Sequence, residues 1–220
     1  MAETPKVRVR ADDESTIDSL MSWFHLNSKQ ALGILGALVL VLGGWWFYSR
    51  SQTLKTEKAE KAYFQAIQSI GSGNTPLAIS DLRKLTVRYE GTRPAIQGSI
   101  ALAQLLYDQG KYADGLTELN KVDEGDADKA FLASGLHRLK AAGHEQQAKF
   151  SEAAAEYGKA ADASPYPADK SLYKGDRARA LTLAGKRAEA KAIWTELAED
   201  EKNAVASEAR VRLGELSATA

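Results

Sequence analysis

The sequence predicts an all-α protein: a single N-terminal transmembrane helix followed by an α-solenoid of helical hairpins with a C-terminal capping helix. Three observations predict it. The run "ALGILGALVLVLGGWWFY", Ala31 to Tyr48, has eighteen residues and no charge. No Pro or Gly follows between Trp45 and Ile70. Beyond that, one pattern of small and large apolar residues recurs four times, at spacings of 37, 38 and 37 residues.

Residues 1–14, "MAETPKVRVRADDE", mix charges with almost no apolar content and read as a disordered tail. Over residues 15–28, Ile17, Leu20, Met21 and Phe24 share a helical face, and Ser15 with Asp18 has capping-box spacing. A short amphipathic helix on a membrane surface fits; so does a plain lead-in to the span. Residues 29–50 form the expected transmembrane helix. Eighteen apolar residues make a helix of roughly 27 Å, close to the hydrocarbon thickness. Trp45, Trp46 and Tyr48 mark the headgroup level, with Lys29 and Arg50 just outside. A cleavable signal peptide has a shorter apolar core and lacks the acidic residues that precede this one. Residues 51–61 read as a helical connector, part of one continuous helix from about Lys29 to Ile70. Charge gives an orientation: Arg50, Lys55, Lys58 and Lys61 follow the span, against Lys29 with Arg8 and Arg10 at the limit of reach before it. Read literally, the positive-inside rule places the large domain in the cytoplasm, although long domains translocate largely regardless of charge.

Residues 62–220 carry the repeats, about four hairpins plus a cap. Aligning "GSGNTPLAISDLRKL", "DQGKYADGLTELNKV", "QQAKFSEAAAEYGKA" and "LAGKRAEAKAIWTEL" puts small residues at Gly73, Gly110, Ala148 and Gly185, and again at Ala78, Gly115, Ala153 and Ala190. Large apolar residues follow at Leu82, Leu119, Tyr157 and Trp194, then Leu85, Val122, Ala160 and Leu197. The first small residue allows a tight turn between two helices, the second a close crossing, and the large one fills the space beside the next hairpin. Tyr157 and Trp194 are therefore expected to be buried. The segment "SEARVRLGEL", with Val211, Leu213 and Leu216 among charges, reads as a solvating cap.

Several chemistries are excluded or unsupported. With no cysteine there is no disulfide, thiolate metal site, cysteine nucleophile or cysteine lipid anchor. From residue 62 onward 21 Lys and Arg stand against 22 Asp and Glu, so nothing asks for nucleic acid. His137 and His144, a heptad apart, lack a third ligand, and His25 stands alone. The stretches "VDEGDAD" and "GSGNTP" lack the order of a calcium loop and of a phosphate loop, and read as turns between helices. No nucleophile, base and orienting group stand at motif spacing, so no enzyme, cofactor or small-molecule substrate is expected.

Protein binding is the affirmative reading. The first helices of stacked hairpins line an inward face. Gln97, Ile100, Gln104 and Tyr107 form one stripe there; by analogy Arg138 and Glu145, then Asp176 and Arg179, continue it. This mixture suits an extended chain or a partner's helix, with Tyr107 expected to matter most because its ring buries area and its hydroxyl orients.

The third copy, with Phe150, Ala153, Tyr157, Ala160 and Pro165, resembles the tetratricopeptide repeat. "SIALAQLLY" is a fair match to that repeat's first helix. The block "WFHLNSKQALGILGALVLVLGGWWFYSR", followed by "KAYFQAI" and a degenerate array, resembles the YfgM-like tetratricopeptide proteins, ancillary subunits of the SecYEG translocon. This resemblance implies a bacterial inner-membrane protein crossing the bilayer once, its N-terminus cytoplasmic and its repeats periplasmic. It also implies partnership with the membrane-anchored chaperone PpiD in the hand-over of newly translocated proteins. The alternative is a scaffold or assembly subunit of a large respiratory or photosynthetic membrane complex.

Overall fold

The computed structural model describes residues 28–200 and 204–218, without the side chains of Ser28, Ala31 and Ile34. The expected tail and nearly all of the expected surface helix lie outside the described residues. Every regular element described is a helix: α1 (Ser28–Gly71), α2 (Thr75–Arg88), α3 (Arg93–Asp108), α4 (Tyr112–Asn120), α5 (Glu124–Lys129), α6 (Ala133–Glu145), α7 (Phe150–Ala163), α8 (Pro167–Leu183), α9 (Arg187–Glu199) and α10 (Ala206–Ala218). The chain divides into two compact units, the first ending at Thr53 and the second beginning at Leu54.

In the first unit α1 exposes one large apolar side chain after another, among them Leu40 at 78%, together with Trp45, Trp46, Phe47 and Tyr48. Among the described residues no helix is long and apolar enough to cross a membrane.

In the second unit the helices pair into four hairpins: α1 with α2, α3 with α4, α6 with α7, and α8 with α9. Each hairpin turns in the same way. Two or three residues past the first helix the chain takes a left-handed conformation, at Gly73 (φ 75°), Gly110 (φ 73°), Ala148 (φ 56°) and Gly185 (φ 76°). The next amide then donates to the carbonyl five residues back: Asn74 to Ser69 at 2.9 Å, Lys111 to Leu106 at 2.8 Å, Lys149 to His144 at 2.9 Å and Lys186 to Leu181 at 2.8 Å. This is the Schellman closure, which satisfies carbonyls left open at a helix end. These are the four positions at which the repeat pattern opens. Helix starts are also locally encoded. The Asn74 side chain accepts from the Leu77 amide at 3.3 Å and Thr92 Oγ1 from the Ala95 amide at 3.4 Å, each with Pro in the first turn that follows.

"VDEGDAD" is not a simple turn. It holds all but the last residue of α5, capped by Asp123, whose carboxylate accepts from the Asp126 amide at 2.9 Å. It is anchored by Ala127, which is completely buried. Glu124 of α5 pairs with Lys140 of α6 and Lys159 of α7, at 3.6 and 3.2 Å.

Three apolar clusters follow one another along the hairpins. The first joins Ala59 and Ala66 of α1 to Leu82 and Leu85 of α2 and Leu102 and Leu106 of α3. The second holds Ile96, Ala103 and Tyr107 of α3, Leu116 and Leu119 of α4, Ala127 of α5 and Leu136 and Leu139 of α6. The third runs from Ala141 of α6 through Tyr157 and Trp194 to Val205 and Ala209. Helices α3 and α6 each serve two clusters. Tyr157 and Trp194 are buried, as their place in the repeat requires. Leu213 and Leu216 of α10 pack against the third cluster while Val211 stays exposed, so the last helix covers the array as a cap.

Candidate protein-binding face

The stripe expected from the sequence lies on α3, α6 and α8, with Gln104 and Arg138 exposed, Tyr107 buried and the other five residues half-buried. Gln97 lines a cavity of ≈ 580 Å³ between α1 and α3. Gln104 is exposed, its Nε2 donating to Asp108 Oδ1 at 3.1 Å. Ile100 is half-buried and packs on the second cluster.

Tyr107 does not belong to this face. It is 8% exposed, and its hydroxyl donates to the Leu139 carbonyl at 3.2 Å. Burial holds its phenol far above the ordinary value. The ring points between hairpins because α4 and α6 both close over it with glycines, Gly115 and Gly143. Tyr107 is a core residue that ties the second hairpin to the third, and it is unavailable to a client.

The other four residues come together where α6, α7, α8 and α10 meet. Glu145 accepts from Tyr157 Oη at 2.9 Å. Asp176 pairs with Arg179 at 2.7 Å, and Arg179 approaches Glu208 of α10 at 3.6 Å. Arg212 of α10 shares Glu208 at 3.5 Å. Arg138 is exposed, and its charge reaches both Tyr157 and Asp176. Burial raises the Asp176 carboxyl above its ordinary value, with Arg179 and Arg138 opposing that rise. Burial, and then the neighbouring Glu145 carboxylate, push the Tyr157 phenol upward. Here charge meets charge, and the cap contributes Glu208 and Arg212 to the face, a role that its reading as a solvating cover missed.

The α1–α3 end has a different chemistry. Tyr63, Phe64, Ile67 and Pro94 line the cavity, with Glu60 and Arg93 beside them. Phe64 is 69% exposed. Sequence reasoning missed these residues, although one signal was available. Ala59, Tyr63, Ala66 and Ile70 fall on one helical seam, and Phe64 lies off it.

Elsewhere, His137 and His144 both lie on α6. His137 Nδ1 is 2.7 Å from Glu156 Oε2 of α7. Burial lowers the pKa of His144. Among the described residues, no three His, Asp or Glu side chains converge to hold a metal ion. The membrane-edge residues Lys29, Trp45, Trp46, Tyr48 and Arg50 are all exposed on α1.

A family model described as a tetratricopeptide repeat-like domain matches residues 21–218. No curated protein matches the chain.

Proposed function

Because the chain belongs to the tetratricopeptide repeat-like family, a protein–protein interaction module, we propose that it works at a membrane. In this reading α1 anchors it in the bacterial inner membrane and the first-helix face engages other proteins beside the secretory translocon. The membrane part is carried by one observation. On α1, uncharged and largely apolar side chains continue from Leu35 to Tyr48 and are exposed, and the sequence takes the run back to Ala31 without a charge. Exposed apolar surface of this extent is unfavourable in water and is stabilised in lipid. The translocon part is supported by the order of segments that resembles the YfgM-like proteins. In that reading the repeats are periplasmic and assist PpiD in the hand-over of newly translocated chains.

The near-neutral domain fits short-range contacts better than long-range steering, so client binding should change only modestly between low and physiological salt. Protease added outside spheroplasts should digest the repeats and spare residues 1–30. Survival of the repeats would reverse the topology and remove the translocon reading. Gentle solubilisation should co-purify translocon components; stoichiometric recovery of a respiratory or photosynthetic complex instead would make the chain a scaffold subunit.

A further inference from the structure

The cavity between α1 and α3 has features that stability does not account for. Phe64 is exposed, while the outer flank of the same helix, Glu57, Lys61, Gln65 and Gln68, already gives α1 a solvated polar side. Phe64 is therefore not needed as a cover for the end of the array. Arg93 is the first residue of α3, where a guanidinium meets the positive end of the helix dipole. It is exposed, and among the described residues no ion pair satisfies it; the same holds for Glu60 on the facing wall. The result is an apolar floor of Phe64, Ile67 and Pro94 between two uncompensated charges of opposite sign.

We propose that this cavity takes an amphipathic helix of another protein. The helix presents a bulky apolar side chain to the floor, with a basic residue toward Glu60 and an acidic residue toward Arg93. The inference rests on the protein-binding reading above and names the partner's chemistry at one end of that face. The floor supplies affinity, and the two charges fix the direction in which the helix lies. A strand is not the occupant, because both walls are helices and offer no sheet edge to extend. A lipid with an anionic headgroup would satisfy Arg93 and oppose Glu60. At ≈ 580 Å³ the space is of the size that takes a specific ligand rather than a single water.

The test uses the full chain in phosphatidylcholine nanodiscs and a fluorescein-labelled alanine-based helical peptide. The peptide carries two leucines on one face, a lysine one turn before them and an aspartate one turn after. Saturable anisotropy is expected. Phe64→Ser and Ile67→Ser should each weaken it roughly 30-fold, the loss typical of a removed anchor, while Gln68→Ser on the outer flank changes nothing. Arg93→Glu should weaken binding too, and a peptide with lysine in place of its aspartate should restore it. The proposal is overturned if the peptide does not saturate, if Phe64→Ser binds as well as the parent, or if the charge-exchanged peptide fails to rescue Arg93→Glu. Self-association in sedimentation that Phe64→Ser abolishes would assign the cavity to a second copy instead. Competition by phosphatidylglycerol in the nanodisc that ignores peptide charge would assign it to lipid. Nascent-chain crosslinking that survives Phe64→Ser while the peptide is lost separates this helix site from the client site. If crosslinking fails while peptide binding holds, the translocon reading falls and the cavity stands.

Discussion

The Tyr107 ring is wedged between two glycines, Gly115 on α4 and Gly143 on α6. An added Cβ at either would fall on the ring, or at Gly143 on its hydroxyl oxygen. Gly143→Ala should therefore destabilise by about 1–3 kcal/mol, the usual range for overpacking. Tyr107→Phe, which removes the atom nearest the new methyl, should recover part of that loss despite giving up the bond to Leu139. A double-mutant cycle in denaturant measures the coupling; strictly additive costs would show that the hydroxyl is not what Gly143 accommodates. Glu156 is the second residue with a measurable signature. Burial alone would raise its carboxyl, but hydrogen bonds from His137 and Lys159 hold it below the ordinary 4.5. A depressed folded pKa gives stability that is present above the unfolded value and lost as pH falls through the folded one. Glu156→Gln should thus flatten the acid limb below about pH 4.5 and cost about 1.5–3 kcal/mol at neutral pH. His144, kept neutral by burial, contributes an earlier loss that starts near its unfolded value of 6.5, so the two are separable in a pH titration of unfolding.

At the scale of elements the hairpin turns govern. Three of the four left-handed positions are glycine and the fourth is Ala148. A Cβ there costs about 1–2 kcal/mol, while glycine costs back about 0.5–1 kcal/mol in unfolded-chain entropy. Ala148→Gly should stabilise by up to about 1 kcal/mol in urea unfolding, and a loss would mean that the Ala148 methyl makes a contact worth more than its strain. These turns were legible because φ restricts residue choice so strongly that Gly73, Gly110 and Gly185 repeat in register. The buried set was legible too: Leu82, Leu119, Tyr157 and Trp194 all sit where the pattern put them. Helix α5 was not legible, for a physical reason. The second helix of its hairpin, α4, stops at Asn120 after only nine residues, and α5 occupies the chain so released, so the period stays at 38. Tyr107 was misread because helical spacing with Gln104 and Ile100 fixes a stripe but not which neighbouring helices close over its end. Gly115 and Gly143, each inside a helix, were the signal that a bulky ring had to fit against them.

For the repeat unit as a whole, three clusters linked by the shared helices α3 and α6 predict stability that is local and passed between neighbours. Trp194→Ala should cost roughly 3–5 kcal/mol. In hydrogen exchange its loss of protection should concentrate in α8, α9 and α10, with α2 and α3 nearly unchanged; uniform deprotection would show a single cooperative block. Between the second and third hairpins, however, the units are not interchangeable. The Tyr107 ring of one needs the bare backbone at Gly143 of the next, and the Leu139 carbonyl to receive its hydroxyl. In evolutionary terms, a duplication or deletion falling between α3 and α6 would bring this ring against a helix that has no vacancy for it. Changes in repeat number are thereby kept out of this one junction, and the Tyr107–Gly143 contact marks the part of the molecule whose neighbours cannot be reshuffled.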